Sequence, residues 1–138
     1  MHPKVHFMLR ILLQIPIAAG IAFFLDFLIA QAGFRLTPVP KSFPPFTVLP
    51  ILSGAVGGPV LAALAYAVIR PMTKQPEKVF LFVAIITLAL SFALPLRLSF
   101  TRSPRFAGVT PTAQMILVLM HTVVATVSVA ALLARPDR

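Results

Sequence analysis

Residues 113–134 read AQMILVLMHTVVATVSVAALLA, twenty-two residues without a charge, closed by Arg135 and Pro136. As a helix rising 1.5 Å per residue this stretch reaches about 33 Å, enough to cross a hydrocarbon core of about 30 Å. Gln114, His121 and Ser128 recur every seven residues, with Ala125 four beyond His121. They form one polar and small stripe along an otherwise apolar cylinder. A helix of that kind is a membrane span with one face turned to other helices.

Working outward, three more segments have the same character. They cover about 11–30, immediately after Arg10; 46–69, closed by Arg70 and Pro71; and 79–95, entered after Glu77 and Lys78 and weakening at Pro95 and Arg97. Of the fifteen charged residues Asp26 alone lies well inside a span. The predicted fold is all-α: an antiparallel four-helix transmembrane bundle, up-down-up-down, forming one domain over 1–138. Composition agrees. The 138 residues are 59% hydrophobic and 11% charged, where soluble domains have about 25% charged residues. The mean hydropathy is +0.97. A net charge of +9 on a soluble chain would point to nucleic acid. On this one it belongs to the loops, and no nucleic-acid partner is expected.

Lys4 and Arg10 with Ala30-Gln31-Ala32 resemble a secretory signal and its cleavage site. Asp26 interrupts that apolar stretch, so the segment is expected to stay as a span. Both termini then lie on one side. That side has seven Lys and Arg against five on the other, which favours cytoplasmic termini in a bacterial inner membrane. Arg10, Arg70, Lys74, Lys78 and Arg135 on that edge are candidate ligands for anionic lipid headgroups, at ~1 kcal/mol per charge. His2 and His6 share a helical face there, but no third metal ligand accompanies them and they read as interfacial.

The loops on the opposite side, 31–45 and 96–112, are rich in Pro, Ser, Thr, Phe and Arg. Phe34, Phe43, Phe100 and Phe106 are expected at the bilayer interface, with docking onto a larger complex as the alternative. Arg35-Leu36-Thr37 and Arg97-Leu98-Ser99 echo each other and hint at two tandem hairpins.

Chemistry has few places to sit. With no cysteine there is no thiolate, disulfide relay or iron–sulfur site. Three His and three acidic residues supply no clustered nucleophile, acid and base. Neither an enzyme nor a metal or cofactor site is expected. Span two holds Pro50, Ser53, Gly54, Gly57, Gly58 and Pro59. Gly54 and Gly58 form G-x-x-x-G, extended by Ala62 and Tyr66, which predicts close helix packing beside a Gly/Pro kink. A broken helix lining a solute site, or a face for another subunit, would use the same spacing.

A carboxylate within a span costs about 2.5–3.5 kcal/mol, so Asp26 needs a partner, a water or a proton. Measured to the expected span ends, Asp26 lies about 6 Å deep and His121 about 12 Å, one helical turn apart. Ala19 and Ala22 share the Asp26 face. The expectation is a buried Asp26–His121 pair that fixes register or carries a proton.

Ser91-Phe92-Ala93-Leu94-Pro95, and Leu117-Val118-Leu119-Met120-His121-Thr122-Val123-Val124-Ala125, resemble a family of small bacterial four-span membrane proteins of unknown function. In such proteins Ser and Pro close the third helix and a Met-His pair sits in the fourth. The resemblance implies this fold and an inner-membrane location, with no catalytic residues to carry over. The longer, Arg-rich loop 96–112 departs from it. The leading expectation is a structural or accessory subunit of a membrane complex, partnered by lipids and by other transmembrane subunits or further copies. A small-solute or proton-linked carrier is second.

Overall fold

A computed structural model describes residues 3–101 and 103–134, without the side chains of 3–8 and 10. Among the described residues five α-helices form the fold: α1 Pro3–Leu36, α2 Val48–Met72, α3 Pro76–Ser91, the short α4 Ala93–Arg97, and α5 Pro111–Leu133. Short 3₁₀ turns occupy Pro44–Phe46, Leu98–Phe100 and Pro104–Phe106. Of the described residues, four stretches are long and apolar enough to cross a membrane: Ile11–Leu36, Val48–Met72, Pro76–Phe100 and Pro111–Leu133. The protein is a multi-pass, all-helical membrane bundle.

The helices run past the charges that end the hydropathy signal. α1 continues through Gln31 and Arg35 to Leu36, where Thr37 caps it by donating both its N–H and its hydroxyl to the Gly33 carbonyl (3.0 and 2.8 Å). A charged residue in a last helical turn sends its head out toward water while its stem stays on the apolar surface. In the third span Pro95 does not end the chain's helical path. Phe92 keeps helical angles, and α4 carries the backbone on to Arg97. At this helix end the Pro95 carbonyl accepts from the Leu98 N–H, and the carbonyls of Pro95 and Leu96 also accept from the Gln114 side-chain amide of α5 (3.0 and 3.2 Å).

α2 is helical without a break from Val48 to Met72, although Pro59 removes the N–H that would bond the Ala55 carbonyl. The broken-helix alternative is therefore not what this backbone does. Proline is carried inside the helix, and Pro59 is wholly buried.

α1, α2 and α5 pack most closely; α3 leans on α2 and α5 and has little contact with α1. The tight packing of α1 follows from one stripe. Ala18, Ala22, Asp26, Ala30, Gly33 and Thr37 are all buried and recur at spacings of four, four, four, three and four. Small side chains along such a stripe let helix backbones approach and gain dispersion contacts. By contrast α3 buries only Phe80.

Two apolar clusters sit at opposite ends. At the loop end Phe43, Phe46, Val39, Ala30, Ile51, Ala113, Leu117 and Met120 are buried together. Phe43 and Phe46 meet edge-to-face at 5.2 Å; Phe34 packs on Phe46 at 5.4 Å and Phe106 on Phe43 at 6.4 Å. This geometry is the favoured one for aromatic pairs. Of the four phenylalanines expected at the interface, Phe43 is buried and Phe34 and Phe106 are half-buried; Phe100 is exposed. The two loops thus fold onto each other as an aromatic cap. Gly108, at φ +80°, makes the turn that brings the second loop to within 3.7 Å of the Pro38 carbonyl if a Cβ were present. At the other end Tyr66, Phe80, Ala63 and Leu132 form the second cluster.

Candidate functional site

Between the two clusters lies a cavity of about 780 Å³, walled by α2, α3 and α5 and backed by Asp26 of α1. The looser seating of α3 leaves this space. Its loop-end wall is Ile51, Leu117 and Met120 of the aromatic-cap cluster, and its far wall is Phe80 and Ala62 of the second cluster. Lining residues Ser53, Gly54 and Leu61 of α2 and Thr87 of α3 are exposed. The mouth therefore opens sideways between α2 and α3, at the level of the apolar spans.

The longer α1 changes the depth of Asp26. It lies ten residues from the helix end at Leu36, and His121 lies ten residues from the start of α5 at Pro111. Both are about 15 Å from the loop end of the bundle, close to the middle of a hydrocarbon core. The expected one-turn offset came from ending span one at Ala30. Ala18 and Ala22, rather than Ala19, flank Asp26 on the most buried face.

Asp26 and His121 line the same cavity, and no hydrogen bond joins them. His121 Nδ1 is 2.8 Å from the Leu117 carbonyl oxygen. A carbonyl only accepts, so Nδ1 carries the hydrogen and Nε2 is the ring's remaining polar atom. Asp26 is 3% exposed, and its Oδ1 is a buried polar atom without a hydrogen-bond partner. Such atoms are rare because each gives up hydration without replacement.

The hydroxyls follow one pattern. Ser53 donates to the Pro50 carbonyl at 2.9 Å, Ser91 to Leu88 at 2.7 Å and Ser128 to Val124 at 2.7 Å. Each spends its hydrogen on its own helix and keeps only lone pairs for other partners. Gln114 is engaged with the Pro95 and Leu96 carbonyls. The stripe Gln114, His121, Ser128 is thus three separate backbone contacts and not a hydrogen-bonded chain.

The G-x-x-x-G pair divides. A Cβ on Gly58 would overlap Val124 Cγ1 of α5, whereas one on Gly54 or Gly57 meets nothing within 4 Å. Gly58 is the close helix contact; Gly54 and Gly57 open the cavity. Ala62 is half-buried against the second cluster. Sequence reasoning missed a further contact, Gly33, where a Cβ would collide with the Phe46 ring. Its signal was the Ala30–Gly33–Thr37 spacing.

Arg70, Lys74 and Lys78 are exposed at the end opposite the aromatic cap. Arg135 and His2 lie outside the described residues, as do the side chains of Arg10 and His6.

These features define a small four-span membrane protein with a lateral, mid-depth cavity. The chain belongs to a family of unknown function, DUF6069, whose model matches residues 8–138. No curated protein and no solved structure matches it.

Proposed function

We propose that this protein binds a lipid-soluble small molecule that enters its cavity from the bilayer, acting as a membrane binding or carrier protein and not as an enzyme. The cavity carries the reading: it ends against an apolar cluster at either side and opens between α2 and α3. Its volume falls in the range of small-molecule sites, about 300–1,000 Å³. A solute reaching it sideways must first dissolve in lipid. The reading places the protein in a bacterial inner membrane with cytoplasmic termini, on the seven-to-five balance of basic residues.

The test is native mass spectrometry of the full chain released from mild detergent. A one-to-one small molecule is expected on the wild type and none on Gly54→Leu, whose side chain projects into open space. An empty wild-type chain would overturn the reading.

An accessory subunit remains the second reading, favoured by the open surface at Gly54 and Gly57, which a partner helix could meet closely. Its signature in the same experiment is a stoichiometric larger protein, lost on Gly54→Leu. Support from the loops is weaker than their composition implied, because Phe43, Phe34 and Phe106 are turned onto one another.

A further inference from the structure

The polar groups facing the cavity are almost all acceptors. Asp26 Oδ1 has no partner, and His121 Nε2 is the ring nitrogen left over once Nδ1 has bonded Leu117. Ser53, Ser91 and Ser128 have already given their hydrogens to backbone carbonyls. Thr87 is the one lining hydroxyl without such a bond, and no Lys or Arg is among the described residues that line the space. The rest of the wall is Gly, Ala, Val, Leu, Ile, Met, Pro and Phe.

A site built this way discriminates by what it lacks. A ligand that brings acceptors, such as a carboxylate, a phosphate or a ketone, finds almost no donor and faces Asp26 besides. A ligand that brings N–H donors and a positive charge satisfies the buried oxygen, and its apolar body fills the remaining wall. Buried polar atoms left unmatched are what make such a site reject the wrong chemistry.

Resting on the cavity reading above, we propose that the ligand is a protonated organic amine with an apolar body, its N–H donated to Asp26 Oδ1. The lateral mouth suits this class, since hydrophobic amines concentrate in the bilayer. The exposed cations at the cap end among the described residues, Arg35, Lys41, Arg97 and Arg105, do not line the cavity.

The experiment compares dodecyldimethylamine with its neutral isostere, a branched hydrocarbon of equal chain length. Each is titrated by calorimetry into the full-length protein in zwitterionic nanodiscs, with empty nanodiscs subtracted. The wild type is expected to bind the amine about tenfold or more tighter than the isostere, the worth of one hydrogen bond to a charged group. Asp26→Asn keeps the side-chain volume and is expected to bring the two ligands within about threefold. Equal binding of amine and isostere by the wild type overturns the amine assignment and leaves the cavity standing. That comparison needs no variant, so it holds even if Asp26→Asn does not fold. Binding of both ligands undiminished in Gly54→Leu overturns the cavity reading itself.

Discussion

Gly54 and Gly58 belong to one motif, yet alanine at the two positions is expected to have opposite effects. Alanine gains helix stability over glycine at either site, up to about 1 kcal/mol. At Gly54 nothing lies within 4 Å of the new methyl, so that gain stands. At Gly58 the methyl overlaps Val124 Cγ1 and lies 3.7 Å from Ser128 Oγ. Valine has one rotatable bond and no flexible far end, so α5 itself must move. Overpacking of this kind costs about 1–3 kcal/mol. The helix gain is common to both variants, so their difference is the overpacking cost alone, about a 5- to 150-fold difference in unfolding equilibrium. The assay is SDS-titrated unfolding in mixed micelles followed by circular dichroism. Gly54→Ala should unfold at or above the wild-type midpoint and Gly58→Ala below it. Adding Val124→Ala to Gly58→Ala should restore most of the loss, a coupling that a double-mutant cycle measures directly. Equal midpoints for the two single variants, or no rescue, would refute the assignment of Gly58 to the α2–α5 contact.

Other perturbations test separate parts of the fold. Phe43→Ala removes the wholly buried centre of the aromatic cap and should destabilise by about 3–5 kcal/mol, read as a lower melting point and earlier protease cutting in residues 37–47. Gln114→Leu deprives the Pro95 and Leu96 carbonyls of their side-chain donor; a loss of about 1–3 kcal/mol is expected, with faster amide exchange over 96–101. Since the chain has no cysteine, single cysteines report depth cleanly. A membrane-impermeant maleimide should label Phe100→Cys quickly and Asp26→Cys hardly at all; rapid labelling of the latter would place Asp26 near the interface. Gly108→Ala forces a side chain into φ +80° and should lower stability by about 1 kcal/mol, with no change in helicity.

The four spans were legible because hydropathy and charge segregation are properties of the whole bilayer, felt by every residue of a span. Their ends were less so. Arg35, Arg70 and Arg97 stop a hydropathy reading but sit in the last turns of α1, α2 and α4, where a long side chain reaches water from a helical backbone. That error moved Asp26 outward by about 9 Å, six residues at 1.5 Å each. The sequence offered Asp26 and His121 as a buried pair one turn apart; both line the cavity, but no hydrogen bond joins them, because His121 turns its Nδ1 to its own helix, a choice set by local geometry. Nor does spacing say which of two glycines meets a neighbour. The loops misled for another reason: Phe43 and Phe106 lie 63 residues apart, and their contact depends on the tertiary fold.

α1 and α5, the first and last of the described helices in chain order, are close neighbours, and α5 supplies Leu117 and Met120 to the cluster that covers Phe43. Until α5 has left the ribosome, the first hairpin must wait in the membrane with Asp26 and the small-residue face of α1 uncovered on one side. Closing the bundle is therefore a late, long-range event that no earlier pair of helices can rehearse. A nascent chain stopped short of Pro111 presents the insertion machinery and membrane proteases with a bare carboxylate at mid-bilayer. Arrival of α5 and concealment of that signal coincide, so the bundle's own connectivity separates chains that carry α5 from those that stop short of it.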